Sequence, residues 1–343
     1  MKVSIGYKDI SGPWGGGINF SKQFIKYFRE NGVEVTNDLD SNDIDIILLT
    51  EPRRFTEASS FNHIDVFNYI SRINEKTIVV NRINECDERK NTKGLNNFLI
   101  NSSLVSDHTV FISSWLQELY LRQGFQNKRF STIHNGADDK LFFPDEKNSL
   151  PEKFRIVTHH WGGNINKGFR AYKQLDELLN DKSFSMKFEF FYIGNLPENF
   201  AFNNVNVLPP MDQTEISKFL RTCHIYITGS ENEPAGMHHI EGAMSGLPIL
   251  YIDSGGITEY CENYGINYEI KNLKERLFEL TYKYDSYKES LKKYKFTGKN
   301  MCKKYLNLLQ NLEQNKRIIL NERNIDMPRL KNQFKFGKKY FYL

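Results

Sequence analysis

Short runs of apolar and β-branched residues alternate along the chain with segments whose apolar positions recur at helical spacing. The first series of runs is KVSIG (2–6), IDIILLT (44–50), TIVVN (77–81), TVFIS (109–113) and FSTIH (130–134). Such near-continuous apolar runs predict strands of a parallel sheet buried on both faces. Between the first two, Phe20, Phe24, Ile25 and Phe28 mark one face of a crossover helix, and Gly32 follows as a stop signal. A second series repeats the plan with FRIVTHH (154–160), FEFFYIG (188–194), VNVL (205–208), HIYITGS (224–230) and PILYI (248–252). Asp212, three residues before Glu215, predicts a capped helix running to about Cys223. Gly246 and Pro248 predict the end of a helix that begins near His238. From about Asn272 to Arg323 the pattern is almost continuously helical.

The fold class is therefore α/β, with two Rossmann-like parallel-sheet domains. A linker is expected near residues 144–153, where FFPDEKNSLPEKF brings together proline, charge and small polar residues. It divides 1–147 from 148–310 and leaves 311–343 as a helix end and a tail. A chain of 343 residues is long enough for two cores. With 39% hydrophobic and 26% charged residues the balance is that of a globular protein, not of a disordered one. The 46 basic residues exceed the 42 acidic ones too slightly to argue for a nucleic-acid partner. Cys86, Cys223, Cys261 and Cys302 lie far apart with no C-x-x-C pair, so neither a zinc cage nor a disulfide framework is expected and a reducing cytosol fits. The start lacks the apolar core of a signal peptide, and no apolar run approaches the ~18 residues needed to span a bilayer. A cytoplasmic protein is expected, with any membrane contact peripheral.

Ligands of open parallel sheets collect outside the carboxyl ends of the strands, so the loops there carry the candidates. SGPWGGGINF, after the first run, brings Gly15, Gly16 and Gly17 to a helix start suited to an anion, or makes a flexible turn. IHNGADDKLFFP (133–144) reads as a turn at Asn135-Gly136 and a hydrophobic anchor at Phe142 and Phe143. In WGGNINKGFRAY, Lys167 stands at a glycine-rich helix start, as a phosphate ligand or a solvated lysine. ENEPAGMHHIEGAMSGLP places Glu233 in a loop and Glu241 about a turn into the following helix, where both can face one ligand. Asp43 and Asp45 spell a D-x-D pair, but at the start of a strand, the wrong edge for a ligand, so no essential metal is expected.

Together these segments resemble the family-4 retaining glycosyltransferases of the GT-B fold over about residues 1–310. The resemblance rests on Glu233 through Glu241, Gly246-Leu247-Pro248, Gly255-Gly256-Ile257-Thr258-Glu259, and the Asn135, Gly136, Asp138, Phe142, Pro144 segment. It implies two Rossmann-like domains facing a central cleft and a metal-independent, hexosyltransferase-like enzyme. No cofactor is implied beyond a nucleotide-diphospho-sugar as co-substrate. Glu241 would hydrogen-bond the donor ribose, Lys167 would neutralise the diphosphate, and Glu233 would lie beside the anomeric carbon. Backbone N–H groups of Gly236, Met237 and His238 would hold sugar hydroxyls, with Gly16 and Gly17 approaching the phosphates from the other domain. The leaving diphosphate makes electrostatic stabilisation the principal catalytic term, and domain closure would exclude water.

The chain departs from the family pattern at Gly162, where an arginine is usual five residues before the lysine; His160, Arg170 or a first-domain arginine are the replacements to weigh. A usual histidine after the third run is replaced by Asn81-Arg82-Ile83-Asn84, which makes Arg82 and Asn84 acceptor-side candidates. Arg53, Arg54, Arg89 and Lys90 add basic character there, compatible with an anionic acceptor. The acceptor expected from the resemblance is a glycan, a lipid-linked sugar or another hydroxyl-bearing molecule. The tail from Met327 to Leu343 interleaves five cations with aromatics, as a peripheral membrane contact or as a self-packed terminus. Two rival readings are a catalytically silent sugar-nucleotide or glycan-binding protein, and an NAD-dependent oxidoreductase using Glu51; the loop fails the G-x-G-x-x-G spacing of the latter.

Overall fold

The computed structural model describes residues 1–8, 16–53, 57–145, 151–325 and Leu330. They form two compact units: one holds the chain up to His134 and again from Lys299, the other holds Asn135–Gly298. Residues 146–150, at the centre of the expected linker, lie outside the described residues, and among the described residues the chain first crosses between units earlier, after His134.

The first unit contains β1 (Lys2–Ile5), β2 (Glu34–Thr36), β3 (Ile46–Leu49), β4 (Ile78–Ile83), β5 (His108–Phe111) and β6 (Phe130–Thr132), all parallel in the order β2-β1-β3-β4-β5-β6. Val3 pairs with both Val35 and Ile46, and Ile46 pairs with Ile78. Every residue of β3 and β4 is buried, the signature of strands covered on both faces. Helix Gly16–Glu30 buries Ile18, Phe20, Phe24 and Phe28, with the Phe24 and Phe28 rings stacked at 3.8 Å. It ends at Gly32, whose φ of +74° suits glycine; the Gly32 N–H donates to Arg29 and the Val33 N–H to Phe28, satisfying the last carbonyls.

The final helices belong to this unit. Tyr305, on helix Gly298–Gln314, packs edge-on against Phe20 at 5.3 Å and Phe24 at 5.9 Å. Arg323 forks onto Asp107 at 2.8 and 2.7 Å and donates to the carbonyls of Glu75 and Thr77, while Asp107 also caps the Val79 N–H. Leu330 is buried in the cluster of Ile44, Ile47, Leu49 and Val66. The rest of the tail 327–343 lies outside the described residues.

The second unit contains β7 (Phe154–His160), β8 (Phe188–Gly194), β9 (Asn206–Leu208), β10 (Ile225–Thr228), β11 (Ile249–Tyr251) and β12 (Gly265–Asn267), again all parallel, in the order β12-β11-β10-β7-β8-β9. Each sheet has one strand more than the sequence pattern predicts. The additional two, β2 and β12, are three-residue edge strands. Helix Gln213–Leu220 carries the expected capping box between Asp212 and Glu215, but ends before Cys223 because Leu220 and Arg221 already turn into the loop leading to β10. Helix Met237–Met244 ends as expected at Gly246, with φ +79° and the Leu247 N–H bonded back to Gly242. No described helix is long and apolar enough to cross a membrane, and no described cluster of His, Cys, Asp and Glu is arranged to hold a metal ion.

Candidate functional site

In the second unit the chain leaves β7 toward β8 and β9 on one side and returns to β10, β11 and β12 on the other. The carboxyl ends of β7 and β10 therefore flank a topological switch point, where loops diverge and leave a crevice. Glycines set the spacing there. A side chain on Gly168, at φ +104°, would strike the Gly229 backbone at 2.7 Å, so the start of helix Phe169–Leu178 lies directly against the end of β10. Gly255, at φ +68°, has the Glu233 backbone within 2.3 Å of where its Cβ would sit, and the Gly256 N–H donates to the Glu233 carbonyl at 2.9 Å. The Asn232 N–H donates to Ser254 Oγ at 2.8 Å. The Gly-Gly-x-x-Glu segment thus braces the Glu233 loop from behind.

Lys167 ends a short 3-10 turn before that helix, and its Nζ donates to Glu233 Oε2 at 2.5 Å. The Glu231 N–H donates to the Asn166 carbonyl at 2.8 Å, tying the two loops together. Glu233 and Glu241 are only 3% and 4% exposed, so the carboxylates are held in place by their partners and not by water. Glu241 Oε2 meets His159 Nε2 at 2.7 Å and its Oε1 accepts from Gln213 Nε2 at 3.2 Å. Tyr226 lies on the other side of His159, its hydroxyl 3.1 Å from Nδ1 and accepting from the His159 N–H at 3.1 Å.

His160 faces away from this carboxylate: its Nε2 lies 2.7 Å from the Tyr172 hydroxyl and its ring 4.5 Å from that of His238. His238 Nε2 meets Thr228 Oγ1 at 3.0 Å, and burial holds its pKa well below the ordinary imidazole value, with the neighbouring histidines and Lys167 adding to the shift. His239 is fully buried against Tyr260, with neither ring nitrogen partnered, and burial pushes its pKa down to about 3. Gly236 N-caps helix Met237–Met244 without any side-chain cap, leaving the first N–H groups of Met237 and His238 without a capping acceptor. Gly162, where the family's second cation would stand, has nothing within 4 Å of a hypothetical Cβ. Arg170 is mostly exposed and pairs with Glu231 at 3.5 Å.

In the first unit, Gly16 and Gly17 open the helix after β1, and Gly17 has open space around it; Gly15 lies outside the described residues. Arg82 is buried on β4 with its guanidinium 4.0 Å above the Phe20 ring, while Asn84 is half-buried just beyond the strand. Arg53 forks onto Glu51 at 2.8 and 2.6 Å, and Arg89 and Lys90 both pair with Glu85. The basic character expected of these loops is thus offset in part, Glu51 answering Arg53 and the single Glu85 answering both Arg89 and Lys90, while Arg54 lies outside the described residues. Asp43 and Asp45 sit before β3, as the sequence indicates, bonded to Lys2 and, for Asp45, near Lys316.

Comparisons with known proteins bear on these two sheets. Residues 198–301 match the family model described as glycosyl transferases group 1. No curated protein matches the sequence. Among solved structures, HepE of Anabaena in complex with UDP is similar at a TM-score of 0.65 and 15% identity, over 91% of this chain and 100% of that one. Sucrose-phosphate synthase of Thermosynechococcus elongatus gives 0.63 at 11% identity, over 91% and 98%. A glycosyltransferase of Rickettsia africae gives 0.61 at 13%, over 92% and 98%. The fold is GT-B.

Within this GT-B chain the matched stretch contains both Glu233 and Glu241 and the bracing Gly255-Gly256 loop. The Asn135-Gly136 segment proves to be a belt inside the second unit: a side chain on Gly136 would strike the Thr297 carbonyl at 2.1 Å, and Asn135 donates its N–H to the Tyr260 hydroxyl at 2.9 Å. Phe142 is buried as expected, whereas Phe143 is 46% exposed beneath the Arg221 guanidinium at 4.4 Å. Two polar residues of the switch point, Tyr226 and Gln213, escape sequence reasoning, and the sequence marks His159 only as one of two histidines ending a strand, packed or catalytic. No local spacing links residues this far apart in the chain; only the strand order brings them together.

Proposed function

We propose that the protein transfers a hexosyl group from a nucleotide-diphospho-sugar to a hydroxyl-bearing acceptor, a glycan or lipid-linked sugar, retaining the anomeric configuration and needing no metal ion. The observation that carries this reading is the Lys167–Glu233 pair, set at the switch point of the second sheet with Glu241 on the helix that follows. An ammonium has three donors, so Lys167 can keep Glu233 and still reach a diphosphate. The sugar C1–O bond to the diphosphate breaks, one to the acceptor oxygen forms and the acceptor's proton passes to the departing diphosphate; Lys167 offsets the charge growing on that leaving group, and the N–H groups of Gly236, Met237 and His238 hold sugar hydroxyls. Glu233 would stand beside the anomeric carbon, and Glu241 would accept from the ribose hydroxyls. Support comes from the group 1 match over residues 198–301 and from HepE, which has been solved with UDP and with UDP-glucose. Arg82 and Asn84 are proposed for the acceptor side.

The test is a thermal-shift and sugar-release screen of common nucleotide-diphospho-sugars on the wild type, Lys167→Ala and Glu241→Ala. A ligand that binds only the folded state raises the apparent midpoint. Stabilisation by one nucleotide class, lost in both variants, is expected, with sugar release unaffected by a chelator. A bound donor that is never turned over, whatever the acceptor offered, would replace transfer by a silent binding role.

A further inference from the structure

Glu241 is a buried carboxylate with an unusual set of neighbours. Its oxygens are contacted by an imidazole and a carboxamide, and no Lys or Arg among the described residues pairs with it. Burying a carboxylate is costly unless its lone pairs are engaged, and an ionised carboxylate offers about four acceptor positions. Two are used here, one on each oxygen. The remaining pair suits two adjacent hydroxyl donors.

We propose that His159 is a positioning residue that aims Glu241 at the two ribose hydroxyls of the nucleotide, with Tyr226 and Gln213 holding the aim; this rests on the donor reading above. The hydrogen bonds assign the parts. The Tyr226 hydroxyl accepts from the His159 N–H, so its own proton is available for Nδ1, and Nε2–H is left to donate to Glu241 Oε2. His159 is fixed by β7 and Tyr226 by the adjacent strand β10, where Tyr226 pairs with Val157, so the relay is anchored in the sheet. Gln213 approaches from the opposite loop as the first residue of the helix capped by Asp212 and Glu215, and its backbone is locked by that capping box. The carboxylate plane is therefore set from two sides, by β7 and by the helix that follows β9. A carboxylate left to rotate would spend part of its time turned from the ribose, which weakens binding without removing any ligand contact.

The experiment uses the ribonucleoside diphosphate that the wild type binds best and its 2′,3′-dideoxy counterpart, titrated calorimetrically into the wild type, His159→Leu, His159→Gln, Tyr226→Phe and Glu241→Ala. The wild type should prefer the ribose form by about tenfold or more, the worth of hydrogen bonds to a charged group. His159→Leu should lose most of that preference by weakening the ribose form alone, and His159→Gln, which keeps a donor near Nε2, should recover it. Tyr226→Phe removes a single hydroxyl and should lower the preference in the same direction; it carries the test if His159→Leu does not fold. Loss of affinity for both forms alike, or none, in both His159→Leu and Tyr226→Phe would overturn the positioning role and leave the donor reading standing. Failure of the wild type to bind any ribonucleoside diphosphate would overturn both.

Discussion

The two sheets reverse direction at different places and furnish those places differently. In the first unit the switch lies between β1 and β3, and in the second between β7 and β10. Around the second, backbone meets backbone: Gly168 against Gly229, Gly255 against Glu233, Gly163 against the Leu196 carbonyl, Gly194 against that of His160. Around the first, Gly17 meets nothing, and the charged side chains pair locally, Arg53 with Glu51 and Arg89 with Glu85. The difference teaches that the second edge is spaced by backbone against backbone around the Lys167–Glu233 pair, whereas at the first edge Gly6 meets only the side chains of Ser59 and Phe61 and the named charges pair locally.

The largest effect that should separate the two units is at Arg323. Arg323→Ala leaves Asp107 buried without its fork, at an expected cost of about 3–5 kcal/mol, read by denaturant unfolding, with nucleotide affinity of the folded protein unchanged. Lys167→Ala should lower both quantities: Glu233 is left buried without its ammonium, at about 3–5 kcal/mol in the same unfolding measurement, and the diphosphate loses a charge-assisted donor worth about 1.5–3 kcal/mol, roughly 10- to 150-fold in Kd. Arg53→Ala in the first unit should leave Kd unchanged. A calorimetric titration of both variants decides this.

Gly168→Ala tests whether backbone approach is what sets the second edge. A left-handed φ and a clash with Gly229 should cost about 2–4 kcal/mol in thermal or chemical unfolding, whereas Gly17→Ala, with open space around it, should be tolerated. The smallest effect at neutral pH is at His239. Its folded pKa of about 3 lies below the ordinary value, so the unfolded chain binds the extra proton first; the stability it contributes is complete above about pH 6.5 and is lost as pH falls toward 3. His239→Phe should therefore leave stability at pH 8 within about 1 kcal/mol and flatten the decline below pH 6.5 by up to about 1.4 kcal/mol per pH unit. The remaining slope would come from His238 and from His108, which burial holds at about 4.

Much of this was legible in the chain. Apolar runs located ten of the twelve strands among the described residues because buried parallel strands need them, and local rules located the Asp212 cap and the Gly246 stop because those bonds close within a few residues. The edge strands β2 and β12 were not legible: EVT and GIN each carry a single large apolar residue, too few to stand out from the loops around them. Lys167, Glu233 and Glu241 stood out in the sequence by their place after strands, and the structure pairs the first two; the contacts of His159 with Tyr226 and Glu241, 67 and 82 residues away, did not. Likewise, Gly255 showed only as part of a motif until the Glu233 backbone was seen against it. The return of the final helices to the first unit hinges on Arg323 and Asp107, 216 residues apart, a pairing no local pattern announces.

The central claim is that the second unit's switch point holds a diphosphate through Lys167. Calorimetric titration of wild type and Lys167→Ala with nucleosides and their diphosphates tests it most directly. The diphosphate should bind the wild type far more tightly than the matching nucleoside, and that advantage should collapse in Lys167→Ala. An equal advantage in both proteins, or no diphosphate binding by the wild type, would contradict the account.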